Sequence, residues 1–248
     1  MKDNIHLLTI VTVNKNSGEK FHKTRLSLES FISNEKDTCW LIIDNLSEDE
    51  SGNEINSMFT TENIKIIKEE DLGIYDAMNK GIMQSKSKFI LFINSGDSIN
   101  AKHLKIALEE CNKINGSLVC NYKVDENINI LRKKIVIPIH FLEQIFSLSL
   151  PSSHNSIIYK KEILEKTPFL TQYICAADYQ QYLEIKKKRH RFFYRKDLII
   201  SNLISQGYIF RRRLKSYNEA LKINKNQKNL AGYLYWKFRI FLYKIGVS

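Results

Sequence analysis

No stretch of about 18 uncharged apolar residues occurs in this 248-residue sequence, so a membrane-spanning helix is not expected. Residues 1–13 hold only a short apolar run after Asp3, and polar Asn14 to Ser17 follow. That reads as a first strand rather than a cleavable signal. Cysteine is sparse: Cys39, Cys111, Cys120 and Cys175 include no pair at metal or redox spacing. They read as reduced, cytosolic thiols, three of them beside apolar runs and buried. Internal repeats and low-complexity linkers are also missing. The expectation is therefore one domain, residues 1–215, with a C-terminal helical appendage, 216–248.

Acid is the scarcer charge. There are 27 Asp and Glu against 38 Lys and Arg, a net charge of +11, with much of the excess after Lys186. The balance favours an anionic partner: nucleic acid, a phosphorylated small molecule or an acidic lipid surface. The 43% hydrophobic content can supply a full core.

Apolar segments alternate between two kinds. Residues 5–14, "IHLLTIVTVN", are apolar and β-branched without clean alternation, as in a strand covered on both faces. "CWLIIDN" (39–45), "NIKIIKEED" (63–71) and "KFILFIN" (88–94) read as further strands. Between them, 23–33, 51–60 and 73–85 read as helices, with Leu26, Ser30 and Ile32 in phase in the first. Beyond them, 103–114 reads as a helix, 117–124 as a strand, 175–188 as a helix and 219–247 as one aromatic-rich helical segment. Residues 125–150 carry no clear pattern. Strands and helices in alternation predict an α/β fold with a mostly parallel, Rossmann-like sheet flanked by helices. Ligands bind such sheets outside the carboxyl ends of the strands. That edge would carry Asn14, Asp44, Asp71 and Asp97, four polar strand ends in succession. Each alone is ordinarily a helix cap or turn former.

These segments resemble a known family. "TIVTVNKNSG", "LIIDNLSED", "EEDLGIYDAMNKGI" and "FILFINSGDS" stand in the order and spacing of inverting family 2 glycosyltransferases, which share the GT-A fold. The likeness continues through "PSSHNSIIYKKEIL" and "AADYQQYLEI", covering roughly residues 5–210. It implies transfer of a sugar, with inversion, from a nucleoside-diphosphate sugar, UDP-linked in the first instance, to a hydroxyl. The acceptor would be a glycan or lipid-linked glycan in surface polysaccharide synthesis. The resemblance places Thr12, Val13, Asn14, Asp44, Asp71 and Gly73 along the nucleotide, with Ser95 and Gly96 beside it. It makes Asp97 the metal ligand for Mn²⁺ or Mg²⁺ and Asp178 the catalytic base. Two departures stand out. The usual "DDGS" turn is Asp44-Asn45-Leu46-Ser47, and the metal motif keeps a single carboxylate, Asp97.

The chemistry is consistent with these residue types. A diphosphate leaving group needs its charge neutralised and the acceptor hydroxyl needs a base, for which a partly buried carboxylate is suited. Asp178 otherwise reads as a plain N-cap. His154 could contact the diphosphate, bind metal, order the acceptor or be a hydrogen-bonded loop histidine. "SQGYIFRRR" (205–213) offers a diphosphate clamp or a solvated basic face.

In the tail, Leu230, Ala231, Leu234, Phe238, Phe241, Leu242 and Ile245 share one helical arc, flanked by Lys228, Lys237, Arg239 and Lys244. That suits a helix lying in a membrane interface, or else a core-packing or dimerising helix that would make a homo-oligomer. The charge favours the first, a peripheral protein on the inner face of the cell membrane. Two other classes stay open. One is a nucleic-acid binder using "KKKRHRFFYRK" (186–196), disfavoured because basic runs are usually solvated faces. The other is a non-catalytic scaffold of a polysaccharide assembly complex.

Overall fold

The computed structural model describes residues 6–124, 147–204 and 212–246. Among these, eight strands build one mixed sheet: β1 Leu8–Asn14, β2 Thr38–Asp44, β3 Ile64–Lys68, β4 Phe89–Phe92, β5 Ser98–Ile99, β6 Ser117–Val124, β7 Ile157–Lys160 and β8 Phe192–Leu203. The helices are α1 Lys20–Asn34, α2 Glu50–Ser57, α3 Ile74–Gln84, α4 Ala101–Cys111, α5 Lys161–Lys166, α6 Ala177–Lys187, α7 Arg213–Asn226 and α8 Leu230–Lys244.

The strand order is β3-β2-β1-β4-β7-β6-β8-β5. The first four strands pair in parallel, as expected for βαβ units. From β4 onward the pairing is mixed: β7 is antiparallel to β4 and β6, while β6 and β8 run parallel.

β1 and β2 are buried at every position, which explains their lack of polar alternation. Successive side chains point to opposite faces and divide into two cores. Ile10, Trp40 and Ile42 pack with Phe21, Leu28 and Phe31 of α1 and with Leu104 and Leu108 of α4. Val11, Val13, Leu41 and Ile43 pack with Met78 and Ile82 of α3, Tyr182 of α6, and Ala220 and Ile223 of α7. Each large side chain so buried contributes about 1.5–3 kcal/mol. The approach of α3 needs Gly81, where a Cβ would stand 2.5 Å from Val11 Cγ1.

Several expectations are corrected. Leu26 is exposed, and α1 instead buries Phe21, Thr24, Leu28, Phe31 and Ile32. β3 ends at Lys68, so Asp71 lies in the loop beyond it. β8, which starts inside the basic run, was not foreseen as a strand. The single C-terminal helix is two, α7 and α8, separated at 227–229. There Lys228 takes a left-handed φ of 56°, and the Asn229 side chain caps α8 by accepting from Gly232 N–H. All four cysteines are buried and free. The unpatterned stretch 125–146 and residues 205–211 of the arginine clamp lie outside the described residues.

Candidate active site

The chain leaves β1 for β2 and β3 on one side and returns for β4 on the other, so the order reverses between β1 and β4. Crevices at the carboxyl ends of such strands are where open α/β sheets bind ligands. Most of the expected residues meet here.

One network ties the ends of β1, β2 and β4. Asn14 and Asp44 are register partners, and Asn14 Nδ2 donates to Asp44 Oδ1 at 2.8 Å. Asp44 also accepts from the Ser47 hydroxyl (2.6 Å) and the Ser47 N–H (3.0 Å). Asn14 Oδ1 accepts from the hydroxyls of Ser17 (2.6 Å) and Ser95 (2.7 Å), the second reaching across the crevice from β4. Ser95 Oγ also lies 3.2 Å from the Val13 carbonyl. Thr12 is deeper. It is fully buried and its hydroxyl accepts from Trp40 Nε1 at 2.9 Å, so it forms the floor rather than a surface contact.

The second network lies beside it and carries the ionisable groups. After β4 the chain turns through Gly96, whose φ of 102° is in the left-handed region that favours glycine. The turn is held by Thr24, whose hydroxyl accepts from Gly96 N–H (2.8 Å) and donates to the Asp97 carbonyl (2.7 Å). Asp97 is thereby turned inward. Its Oδ2 accepts from Asn155 Nδ2 (2.6 Å) and its Oδ1 from Ile204 N–H (3.0 Å). Burial raises its pKa to about 6, against the opposing pull of those hydrogen bonds and of His154 and Lys23.

His154 opens the short 3₁₀ turn His154–Ser156 before β7. Its Nε2 is 3.2 Å from Asn94 Nδ2, and its Nδ1 is 3.5 Å from Asp178 Oδ2. Asp178 stands in the first turn of α6, only 5% exposed. Its Oδ1 accepts from Tyr179 N–H (2.8 Å) and from the Tyr75 hydroxyl of α3 (3.3 Å). Burial, then the charge of Asp178, holds the Tyr75 phenol well above its usual pKa, so it remains a donor. Asn94 Oδ1 is buried without a donor among the described residues, and is available to a ligand hydroxyl or amide.

Asp71 and Gly73 lie to one side, on the exposed entry to α3, where Asp71 Oδ1 accepts from Gly73 N–H at 2.8 Å. The link to the β2 end is a 3.4 Å bond from Asn45 Nδ2 to the Asp71 carbonyl. Sequence reasoning overlooked Tyr75, Asn94 and Asn155. The last two carried a signal, since they flank residues already singled out. Tyr75 carried none, because its partner lies 103 positions away.

The profile described as Glycosyl transferase family 2 matches residues 9–178. The chain belongs to this family. It is a glycosyltransferase, and its fold is the GT-A fold. Among solved structures it is similar to residues 1–349 of S. aureus TarS, at 16% identity and TM-score 0.68, covering 95% of this chain and 73% of that one. The same protein in complex with UDP-GlcNAc superposes with a TM-score of 0.65 at 16% identity, over 94% and 73% of the two chains. The mannosyltransferase PcManGT from Pyrobaculum calidifontis, in complex with GDP-Man and Mn²⁺, gives 0.66 at 13% identity, over 96% and 70%. This chain spans 43% of the longer TarS structure. No curated protein sequence matches it.

Proposed function

We propose that this glycosyltransferase moves a sugar, with inversion, from a nucleoside-diphosphate sugar to a hydroxyl of a glycan or lipid-linked glycan in surface polysaccharide synthesis. The observation that carries this reading is Asp178, a buried carboxylate beside the crevice between β1 and β4, held on one oxygen by Tyr75 and faced on the other by His154. In the reaction the acceptor hydroxyl gives its proton to Asp178 as its oxygen attacks the anomeric carbon. The diphosphate leaves from the opposite side. Tyr75 holds the carboxylate in one orientation, and low exposure excludes competing water. The nucleotide would lie along the Asn14–Asp44–Ser95 edge toward Asp71 and Gly73. UDP is the first candidate, since the TarS structures hold UDP and UDP-GlcNAc.

Mn²⁺ or Mg²⁺ fits this site poorly as a resident ion. Asp97 is its one acid near the diphosphate side, both its oxygens already accept hydrogen bonds, and no three metal-ligating side chains converge among the described residues. An ion would arrive on the donor's diphosphate.

The test is a panel of UDP-, GDP- and dTDP-sugars, screened for thermal stabilisation and hydrolysis with Mn²⁺ and with EDTA. The absence of both stabilisation and turnover with every member of the panel would sink the proposal.

The reading includes a seat on the inner face of the membrane. No helix of the described residues is long and apolar enough to cross one. However, Leu230, Leu234, Phe238, Phe241 and Ile245 of α8 are all more than half exposed. Between residues 212 and 246, nine Lys and Arg stand against a single acid, Glu219. An apolar stripe bordered by cations suits an anionic lipid surface. Replacing Phe238 and Phe241 with Glu should abolish sedimentation with vesicles containing phosphatidylglycerol and leave donor hydrolysis unchanged. Retained sedimentation would remove this part of the proposal.

A further inference from the structure

The family match ends at Asp178, whereas groups that hold the backbone on either side of Asp178 come from α7 and α8, beyond the match. On the upstream side, Glu219 of α7 turns its carboxylate onto three successive amides. Ile174 N–H lies 3.1 Å from each oxygen, and Cys175 N–H (2.8 Å) and Ala176 N–H (3.1 Å) meet Oε2. α6 starts at Ala177, and its N-cap Ala176 has no side chain able to satisfy the amides of that turn. Glu219, from another helix and 43 residues along the chain from Ala176, instead holds the amides that lead into α6, among them the N-cap N–H that the Glu of a capping box ordinarily takes locally. An anion closed in a nest of consecutive N–H groups fixes their backbone.

On the downstream side, the Tyr179 hydroxyl lies 2.9 Å from the Ser147 carbonyl and exchanges contacts of 3.0 and 3.2 Å with the Asn224 amide of α7. Its ring meets Trp236 of α8 edge-on, with centroids 5.8 Å apart. Asn224 is fully buried and also accepts from Asn229 at the joint between α7 and α8.

We infer that Glu219 is a positioning residue for the transfer step: it holds the 174–176 turn so that the Asp178 carboxylate stays between Tyr75 and His154. The inference rests on Asp178 being the base. Glu219 touches no reacting atom and acts only through the backbone leading into α6. A misplacement of about 1 Å at such a group costs on the order of 100-fold in rate. A cap that served stability alone would lower the melting temperature and leave the rate per folded molecule intact.

The experiment compares Glu219→Ala, Glu219→Gln and Asp178→Asn, using the nucleotide sugar that the panel selects and UDP as the binding probe. Glu219→Ala should lower kcat per folded molecule about 10- to 100-fold, with donor KM and the UDP thermal shift nearly unchanged. Glu219→Gln, which keeps one accepting oxygen, should recover part of the loss. Hydrogen exchange should accelerate about tenfold across 173–180 and stay unchanged in β1 and β2, a readout that needs no turnover. Wild-type kcat in Glu219→Ala, kcat and KM moving together, or unchanged exchange at 173–180 would each overturn the inference. If Glu219→Ala does not fold, Glu219→Gln is judged by the same criteria. Full turnover in Asp178→Asn beside a loss in Glu219→Ala would instead remove Asp178 as the base, while the exchange result still judges the turn.

Discussion

The two ends of α6 sit about 15 Å apart and have opposite characters. At its N-terminus, Asp178 is buried and enclosed by Tyr75, His154 and its own backbone. At its C-terminus, Lys186, Lys187, Lys188 and Arg189 are exposed. That end borders an open cavity of about 380 Å³ lined by Lys160, Lys166, Lys188, Arg189 and Arg191, with Glu162 the one acid. The basic end is the conspicuous one in the sequence and invites a nucleic-acid reading. Its charges already have a local cause, because cations at a helix C-terminus and anions at its N-terminus both suit the helix dipole. Several are also neutralised: Glu162 meets Lys166 at 2.6 Å and Lys160 at 3.4 Å, and Glu184 meets Lys187 at 3.0 Å. The end proposed to be catalytic is the quiet one, where few charges are present and each is answered.

The largest expected effect tests that contrast directly. Asp178→Asn should lower kcat by about 10²–10⁴, the usual worth of a general base, and leave the UDP thermal shift intact. The triple variant Lys188→Ala, Arg189→Ala, Arg191→Ala should keep kcat within about twofold, since surface charges contribute little beyond their neighbourhood. Steady-state hydrolysis of the panel's donor decides both. A dead triple variant with an active Asp178→Asn would reverse the comparison.

A second test asks whether the N-terminal end depends on the C-terminal helices for stability. Asn224→Ala removes a buried amide that serves Tyr179, Asn229 and the Ala220 carbonyl. Leaving those groups unanswered should cost about 1–3 kcal/mol. In a chain of this size each kcal/mol shifts the melting temperature by roughly 2–4 °C. An unchanged melting temperature would mean that α7 and α8 are mere neighbours of α6.

Legibility in the sequence divides along the same line. β1, β2 and β4 were readable because strands covered on both faces must be apolar throughout and then give way abruptly to polar residues, at Asn14 and Asp44 themselves and at Asn94 just beyond β4. The convergence of Asn14 and Asp44 followed from that periodicity and topology, whereas Ser95 was placed there by the family resemblance. Asp71 misled because the acids at 69–71 extend the polar end of a strand that stops at Lys68. β8 was hidden because much of its first half is only partly buried, so charged and aromatic residues replace the apolar run. The joint between α7 and α8 has neither Pro nor Gly at 227–229 and is made instead by Asn229 capping α8. Glu219 was unreadable for a different reason: its partners are backbone amides 43–45 positions away, which leave no pattern in residue types.

The smallest effect belongs to the basic end and concerns pH. His190, half-buried there, has its pKa lowered by burial first and then by the Lys160 ammonium, with Glu162 opposing. The hydrogen bonds agree with a neutral ring. Ser117 Oγ accepts from Lys160 N–H at 3.0 Å, and its own proton can go to a neutral His190 Nε2 at 2.8 Å. With the folded pKa below the unfolded one, the folded chain binds less proton as the pH falls through the ordinary histidine value of about 6.5. Stability contributed by the neutral ring is therefore complete above that value and is lost toward lower pH. His190→Gln can still accept from Ser117 but has no proton to take up. Its melting temperature should fall less between pH 7.5 and pH 5.5 than that of the unaltered protein, with donor turnover the same at pH 7.5. Equal falls would show that this end of α6 contributes nothing to the acid sensitivity of the fold.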